Sequence, residues 1–244
     1  MNFVHTVPIN PRLLGHFEDF QSATGIWRLH LYVYLRRIAW RWLVDGADLA
    51  KRALDIIGSG AALVVLSPLL LFLAVLIRLD GGKAIFTQTR VGRFGEEFKM
   101  FKFRSMRPDA EKYLAALLAA NQHAHGITFK IKQDPRITRI GHWLRRFSLD
   151  ELPQFYNVFI GDMSLVGPRP PVPREVAQYS LADRRRLAVK PGITCLWQIG
   201  GRAEIDFPGQ VRLDVDYIET QSLAQDLRIL VRTPMAVIFG SGAY

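Results

Sequence analysis

Ile56 to Ile77 reads IIGSGAALVVLSPLLLFLAVLI, and no charged residue interrupts it. As a helix it extends about 33 Å at 1.5 Å per residue, enough to cross the hydrocarbon core of a bilayer. A helix of a soluble core is apolar along one stripe; this one is apolar on every side, which marks it for membrane insertion. Two features bear on how it inserts. Ser67-Pro68 stands near the middle, where proline removes a backbone donor and forces a bend, with the serine hydroxyl able to cover a freed carbonyl. Both flanks are also basic: Arg41, Lys51 and Arg52 precede the stretch, and Arg78, Lys83, Arg90 and Arg93 follow it. Positive charge marks the cytoplasmic side of a span, and here it marks both ends. A helix that enters, breaks at Ser67-Pro68 and returns to the same face satisfies both observations. A kinked spanning helix is the alternative, which charge symmetry alone leaves open.

Upstream, Met1 to about Ser22 reads as a loosely ordered leader with no basic patch running into an apolar segment of the signal-peptide kind. The catalytic end is therefore expected in the cytoplasm. From Gly25 the text becomes GIWRLHLYVYLRRIAWRWLVDG: Leu31, Leu35, Ile38 and Trp42 share one helical face, with Arg36, Arg37 and Arg41 off it. Trp27, Tyr32, Tyr34, Trp40 and Trp42 are the rings that settle at a membrane–water boundary. An interfacial helix and an amphipathic helix packed on its own core fit this segment equally.

The chain has 244 residues, is 49% hydrophobic and carries a formal charge of +10. That leaves ample material for a core and calls for an anionic partner: nucleic acid, an anionic membrane or a phosphorylated substrate. The lone cysteine, Cys195, excludes an internal disulfide framework.

After Asp80-Gly81-Gly82, alternation around Ala84–Phe86 and Phe98–Phe103, with a Gly-rich turn between, predicts a short β-hairpin. Lys99, Lys102, Arg104 and Arg107 give it a basic side. Residues 109–126 read as a helix, and its His123 and His125 lack ligand spacing to any other His or Cys, which argues against zinc.

Two adjacent acids, Asp150 and Glu151, sit in RRFSLDELPQ behind Arg145 and Arg146. Ser148-Leu149-Asp150-Glu151 matches a capping box, and on these residues alone capping the helix through LPQFYNVFIGDM is the favoured reading. Pro153 weakens it slightly. The functional reading uses the same geometry: a helix N-terminus behind arginines is an anion site. Neighbouring helical side chains diverge by about 100°, which suits one acid that attacks or binds metal and a second that orients it. Carboxylates beside arginines are expected to stay ionised.

Further along, Arg169 stands between Pro168 and Pro170, a guanidinium on stiff backbone suited to phosphate. The alternative is a proline-stiffened loop with a solvated arginine. VKPGITCLWQIGGR adds Lys190 and Arg202, while Cys195 reads as a small buried residue with no histidine to activate it. Asp206, Asp214 and Asp216 fall in a helical stretch, each a solvated charge or a second metal contact.

KRALD at 51–55, the Ser-Pro apolar segment, KFRSM at 102–106, DPRITRIG at 134–141, SLDELPQFYNV, GDMSLVGPRP, KPGIT, LWQIGGR and a terminal GAY occur in one order. Over about residues 48–244 the chain thereby resembles the bacterial sugar transferases, monotopic polyprenyl-phosphate phosphoglycosyl transferases that begin exopolysaccharide and O-antigen synthesis. The resemblance implies transfer of a sugar 1-phosphate from a UDP-sugar, UDP-glucose or UDP-galactose, to undecaprenyl phosphate with release of UMP. It implies a covalent phospho-sugar on Asp150, assistance from Glu151, and Mg²⁺ held by Asp150 and Asp214. It also places Lys102, Arg145, Arg169 and Arg202 at substrate phosphates, and Lys51, Arg52 and Asp55, with Ser67 and Pro68, at the mouth of the membrane helix. A homodimer follows by analogy only.

The expected architecture is α/β, mostly helical with a short β-hairpin: a leader and interfacial helix over 1–45, a re-entrant membrane helix over 46–80 and a small cytoplasmic catalytic domain over 81–244. Cys195 and Gly200 depart from the residues common in the family, and Pro208 is expected to interrupt its helix. The rivals are a non-catalytic scaffold that binds polyprenyl phosphate, against which both retained acids argue, and a nucleic-acid binder, for which no module is present.

Overall fold

The computed structural model describes residues 23–113, 134–201 and 205–239. The leader before Ala23, most of the predicted 109–126 helix with its histidines, and Arg202 lie outside the described residues. By contacts the chain divides into two units, Met1–Ala50 and Lys51–Tyr244.

Helix α1 (Ala23–Val65) begins in the first unit, and there Trp27, Tyr32, Tyr34, Leu31 and Leu35 are all exposed. The Arg36 guanidinium lies 5.9 Å from the Tyr32 ring.

In the second unit, α1 ends at Val65 and α2 (Ser67–Leu79) follows at a bend of 61°. Ser67 Oγ donates to the Val64 carbonyl at 2.8 Å. That carbonyl is the one Pro68 cannot serve, so the hydroxyl covers the group the proline orphans, as the sequence anticipates. No single described helix is long and apolar enough to cross a membrane; Gly46–Val65 and Ser67–Leu79 meet that measure as a bent pair, by length and composition. Ile57, Val64, Val65, Leu71, Phe72, Val75 and Leu79 on this pair are exposed.

β1 (Ile85–Val91) and β2 (Glu97–Phe103) form the predicted hairpin, antiparallel from Ile85↔Phe103 to Val91↔Glu97. Its first strand is longer than the alternation around Ala84–Phe86 announces. β2 separates two apolar clusters because successive side chains point to opposite faces. Phe103 packs with Leu73 and Ile77 of α2 and Leu144 of α3 (Arg139–Arg146). Met100 packs with Val158 of α4 (Gln154–Ile160), with Leu165 and Val166 of β3 (Ser164–Val166), and with Tyr217 and Ile229 farther along. Each such side chain, fully buried, contributes about 1.5–3 kcal/mol.

Two elements went unread in the sequence. β3 pairs in parallel with β4 (Gly192–Thr194), Ser164↔Gly192 and Val166↔Thr194. The strands continue into a contact only glycine permits: a Cβ on Gly192 would lie 2.1 Å from the Gly167 nitrogen. Beyond the short α5 (Pro173–Val176) and α6 (Leu196–Gly200) lie α7 (Phe207–Glu219) and α8 (Leu223–Phe239). Pro208 opens α7 rather than interrupting it: it occupies the first turn, where its missing N–H is harmless, and Asp206 caps the turn by accepting from the Gly209 nitrogen at 3.0 Å.

The capping box over Ser148–Glu151 does not form. Ser148 is left-handed (φ 53°) and caps nothing with its side chain; Leu149–Glu151 is a 3-10 turn, and α4 starts only at Gln154, after Pro153. Glu151 is thereby released for a partner elsewhere.

Candidate active site

That partner is Lys102. Its ammonium donates to Glu151 Oε1 at 2.7 Å, and Arg169 Nη1 lies 3.7 Å from the same oxygen. Both cations are held by backbone. Asn157 of α4, wholly buried, accepts from the Phe101 nitrogen and donates to the Lys99 carbonyl, clamping the helix that follows the acids to the strand that carries Lys102. Arg169 stands on the proline loop, which the Arg90 side chain fastens to β1 by donating to the Pro170 carbonyl at 2.8 Å, while the Val91 nitrogen donates to Pro171.

Lys102, Glu151, Arg169, Arg90, Gln154 and Ile193 line one cavity. Asp150 and Arg145 stand beside it, outside its wall. Arg145 is fixed by donating Nε–H to Ser105 Oγ at 2.9 Å. Asp150 is 8% exposed, yet among the described residues its carboxylate has no hydrogen-bond or ion-pair partner.

The two acids consequently part company in how readily they ionise. Burial pushes Asp150 up to about 6, against the pull of Lys102. Burial would raise Glu151 too, but Lys102 and Arg169 hold it well below the usual carboxylate range. The cations show the converse strain. Burial lowers Lys102 and Arg145, and burial together with Arg169 lowers Arg90 to about 10. Four cations, Arg90, Lys102, Arg145 and Arg169, crowd two carboxylates; a site so short of negative charge is built to receive an anion.

The remaining predicted residues are used differently. Lys51 donates to Asp226 Oδ2 at 2.6 Å, to Tyr217 and to the Val166 carbonyl. Arg52 donates to the carbonyls of Val158 and Phe159 at the end of α4, where Gly161 turns the chain at φ 102°. Asp55, 3% exposed, accepts from Ser164 Oγ and the Leu165 nitrogen. Assigned to the membrane mouth, these three side chains tie the helix to β3, α4, α7 and α8. Asp214, assigned to metal, is 1% exposed and locked to Arg186, whose Nε and Nη2 lie 2.8 and 2.6 Å from Oδ2. A dication there would meet a buried arginine at contact. Among the described residues no three metal-ligating side chains cluster, and Asp150 is the open carboxylate beside the cavity. That suits a magnesium ion held by one carboxylate and substrate phosphates, and does not suit an all-protein cage.

Arg90 and Gln154 are the site residues that sequence reading passed over. In sequence Arg90 reads as a basic flank of the membrane helix, whereas the strand pairing places it, with Gln88, on the face of Met100 and Lys102.

The pattern described as "Bacterial sugar transferase" matches residues 46–240. The chain belongs to this family. It is 52% identical over 236 residues to a galactosyl transferase, CpsE, of Streptococcus agalactiae, covering 96% of this chain and 49% of that protein. It is 44% identical over 197 residues to an undecaprenyl-phosphate galactose phosphotransferase of Salmonella typhimurium, covering 80% of this chain and 41% of that protein. The exopolysaccharide production protein ExoY of Rhizobium meliloti is 39% identical over 200 residues, with 80% of this chain and 88% of that protein covered. The chain thus spans about half the length of the first two relatives. The matched region takes in both acids and all four cations of the site.

Proposed function

We propose that the chain transfers a sugar 1-phosphate from a UDP-sugar to undecaprenyl phosphate and releases UMP, through a phospho-sugar carried on Asp150. The observation that carries this is an uncommitted, buried carboxylate beside a cavity walled by three cations. Relatives named as undecaprenyl-phosphate galactose and glucose phosphotransferases support the donor and acceptor classes. Galactose is the favoured sugar, since the CpsE relative is named a galactosyl transferase.

In the first step a carboxylate oxygen of Asp150 forms a bond to the sugar-bearing phosphorus, and the bond from that phosphorus to the oxygen of UMP breaks. The electron pair leaves with UMP. In the second step a phosphate oxygen of the lipid attacks the same phosphorus and returns the carboxylate to Asp150, leaving a lipid diphosphate sugar. Lys102, Arg90 and Arg169 neutralise the diphosphate while it binds and while charge shifts to the leaving oxygen. Burial raises the Asp150 carboxyl, and Lys102, with Arg145 behind it, pulls against that rise and favours the ionised, attacking form. Glu151 holds Lys102 in place. Asp150 and the donor's diphosphate would hold Mg²⁺, which when bound offsets phosphate charge and polarises the phosphoryl oxygens.

The bent helix pair, apolar and exposed on its outer side, seats the domain in the inner membrane from the cytoplasmic face as a re-entrant element, so that a soluble donor and a lipid acceptor meet at one site. Taken by itself, the first unit carries exposed aromatics on α1 of the kind that suit a membrane–water boundary.

The test is incubation of the protein in nanodiscs with Mg²⁺ and UDP-[¹⁴C]galactose or UDP-[¹⁴C]glucose, without acceptor. Stoichiometric label on the wild type, absent from Asp150→Ala, supports the covalent route. Label retained in Asp150→Ala and lost in Glu151→Ala moves the nucleophile to Glu151. Product only when undecaprenyl phosphate is added, with no labelled protein, means direct displacement.

A further inference from the structure

Gln154 opens α4 directly after the 3-10 turn that carries the acids, three residues beyond Glu151, and faces the same cavity as Glu151. It is 3% exposed and lines the cavity with Lys102, Arg90 and Arg169. Its amide nitrogen, wholly buried, has no hydrogen-bond partner among the described residues. A buried donor left unmade is costly, and buried amides in folded proteins are almost always satisfied. An Asn or Gln three residues on shows the contrast: Asn157 makes use of both ends of its amide, with Phe101, Lys99 and Asp162. A methionine of similar volume would fill the Gln154 position without that cost, so the amide is held there for an acceptor that arrives with the substrate.

The neighbours identify the acceptor. A cavity walled by two arginines and a lysine against the single carboxylate of Glu151 keeps a surplus of positive charge and selects an anion, and a phosphoryl oxygen is an anionic acceptor for an N–H donor. The donor is also neutral, so it adds a contact without adding to the mutual repulsion of the cations around it. We propose that Gln154 is a substrate-contacting residue whose side-chain amide donates to a non-bridging oxygen of the transferring phosphoryl group. This rests on the transfer reading for the identity of the substrate, while the anion-binding part stands on the cavity alone.

Gln154→Met separates this from a structural role, because the two predict opposite signs for stability. The wild type and the variant are compared in nanodiscs by melting temperature, by the rise in melting temperature with inorganic pyrophosphate, and by the rate of labelling from UDP-[¹⁴C]galactose. The expected result is a melting temperature equal to or above that of the wild type, a smaller pyrophosphate rise, and labelling slowed about tenfold or more. A variant that labels at the wild-type rate with an undiminished pyrophosphate rise overturns the proposal, as does one that melts lower or fails to fold. Absence of label on the wild type counts against the transfer reading; the pyrophosphate comparison then decides Gln154 by itself.

Discussion

Lys102 and Glu151 meet at 2.7 Å across 49 residues of chain, and their union is what leaves Asp150 without a partner. Two neighbouring acids compete for the same cations; one takes the direct contact and the other keeps only the field.

Replacing Lys102 by Met removes a cation from the cavity wall and frees Glu151 at once. The expected outcome is a fall of about 10²-fold in the labelling rate, the loss seen when one preorganised charge-stabilising donor is removed. Burst-phase measurement of UMP release checks it. Glu151→Gln, which leaves Lys102 without its counter-charge but in place, is expected to cost less.

Asp150 sets a pH dependence. Its carboxyl is raised to about 6 by burial, so the folded protein keeps that proton to higher pH than the unfolded chain does. This residue therefore favours the folded state in acid and withdraws that contribution as pH rises from the ordinary carboxylate range, about 4, through about 6. Carboxyl ¹³C NMR of the metal-free protein should show one midpoint near 6 and a second well below the usual range, as macroscopic steps of the pair. In Lys102→Met the upper midpoint moves higher, because Lys102 pulls it down.

Lys51 and Asp226 form a pair whose carboxylate is 1% exposed in its side chain. Lys51→Met should destabilise the second unit by about 3 kcal/mol, since it leaves a buried charge uncompensated. Adding Asp226→Asn should restore a good part of that loss. A double-mutant cycle of unfolding in detergent measures the coupling, and additivity of the two changes would contradict a direct interaction.

The Ser67-Pro68 bend predicts topology. Asp48→Cys and Asp80→Cys, at exposed positions before and after the apolar run Ile56–Ile77, should both react with an impermeant maleimide from the cytoplasmic side only; the native Cys195 is buried and gives little background. Labelling of the two positions from opposite faces would mean a spanning helix. Pro68→Leu restores the missing backbone donor and should shift part of the population towards the straighter form.

Features governed by local chemistry were legible in the sequence: the Ser-Pro bend with its covering hydroxyl, the hairpin, and the acids close behind Arg145; that Lys102 and Arg169 join them was implied only by the family resemblance. What escaped depended on distant partners. Nothing near Lys51, Arg52 or Asp55 reveals that they meet groups 106 to 175 residues away, so their charges looked like a membrane flank. Arg90 was hidden by the same logic, as one more basic residue after an apolar run. The capping box misled because a local pattern cannot report that Ser148 is left-handed and that Glu151 has a stronger attraction across the hairpin. The parallel pairing of β3 with β4 needs two three-residue strands to find each other, which no periodicity announces.

The ties from Lys51, Arg52 and Asp55 have a mechanical meaning. They fasten the helix before the apolar bend to the elements packed around the reactive cradle, so that on the proposed membrane seating the second unit would work as a depth gauge. On the proposed seating of the bend in lipid, the altitude of Asp150 above the bilayer would be preset, and an acceptor phosphate would be met only at the height where its own headgroup floats.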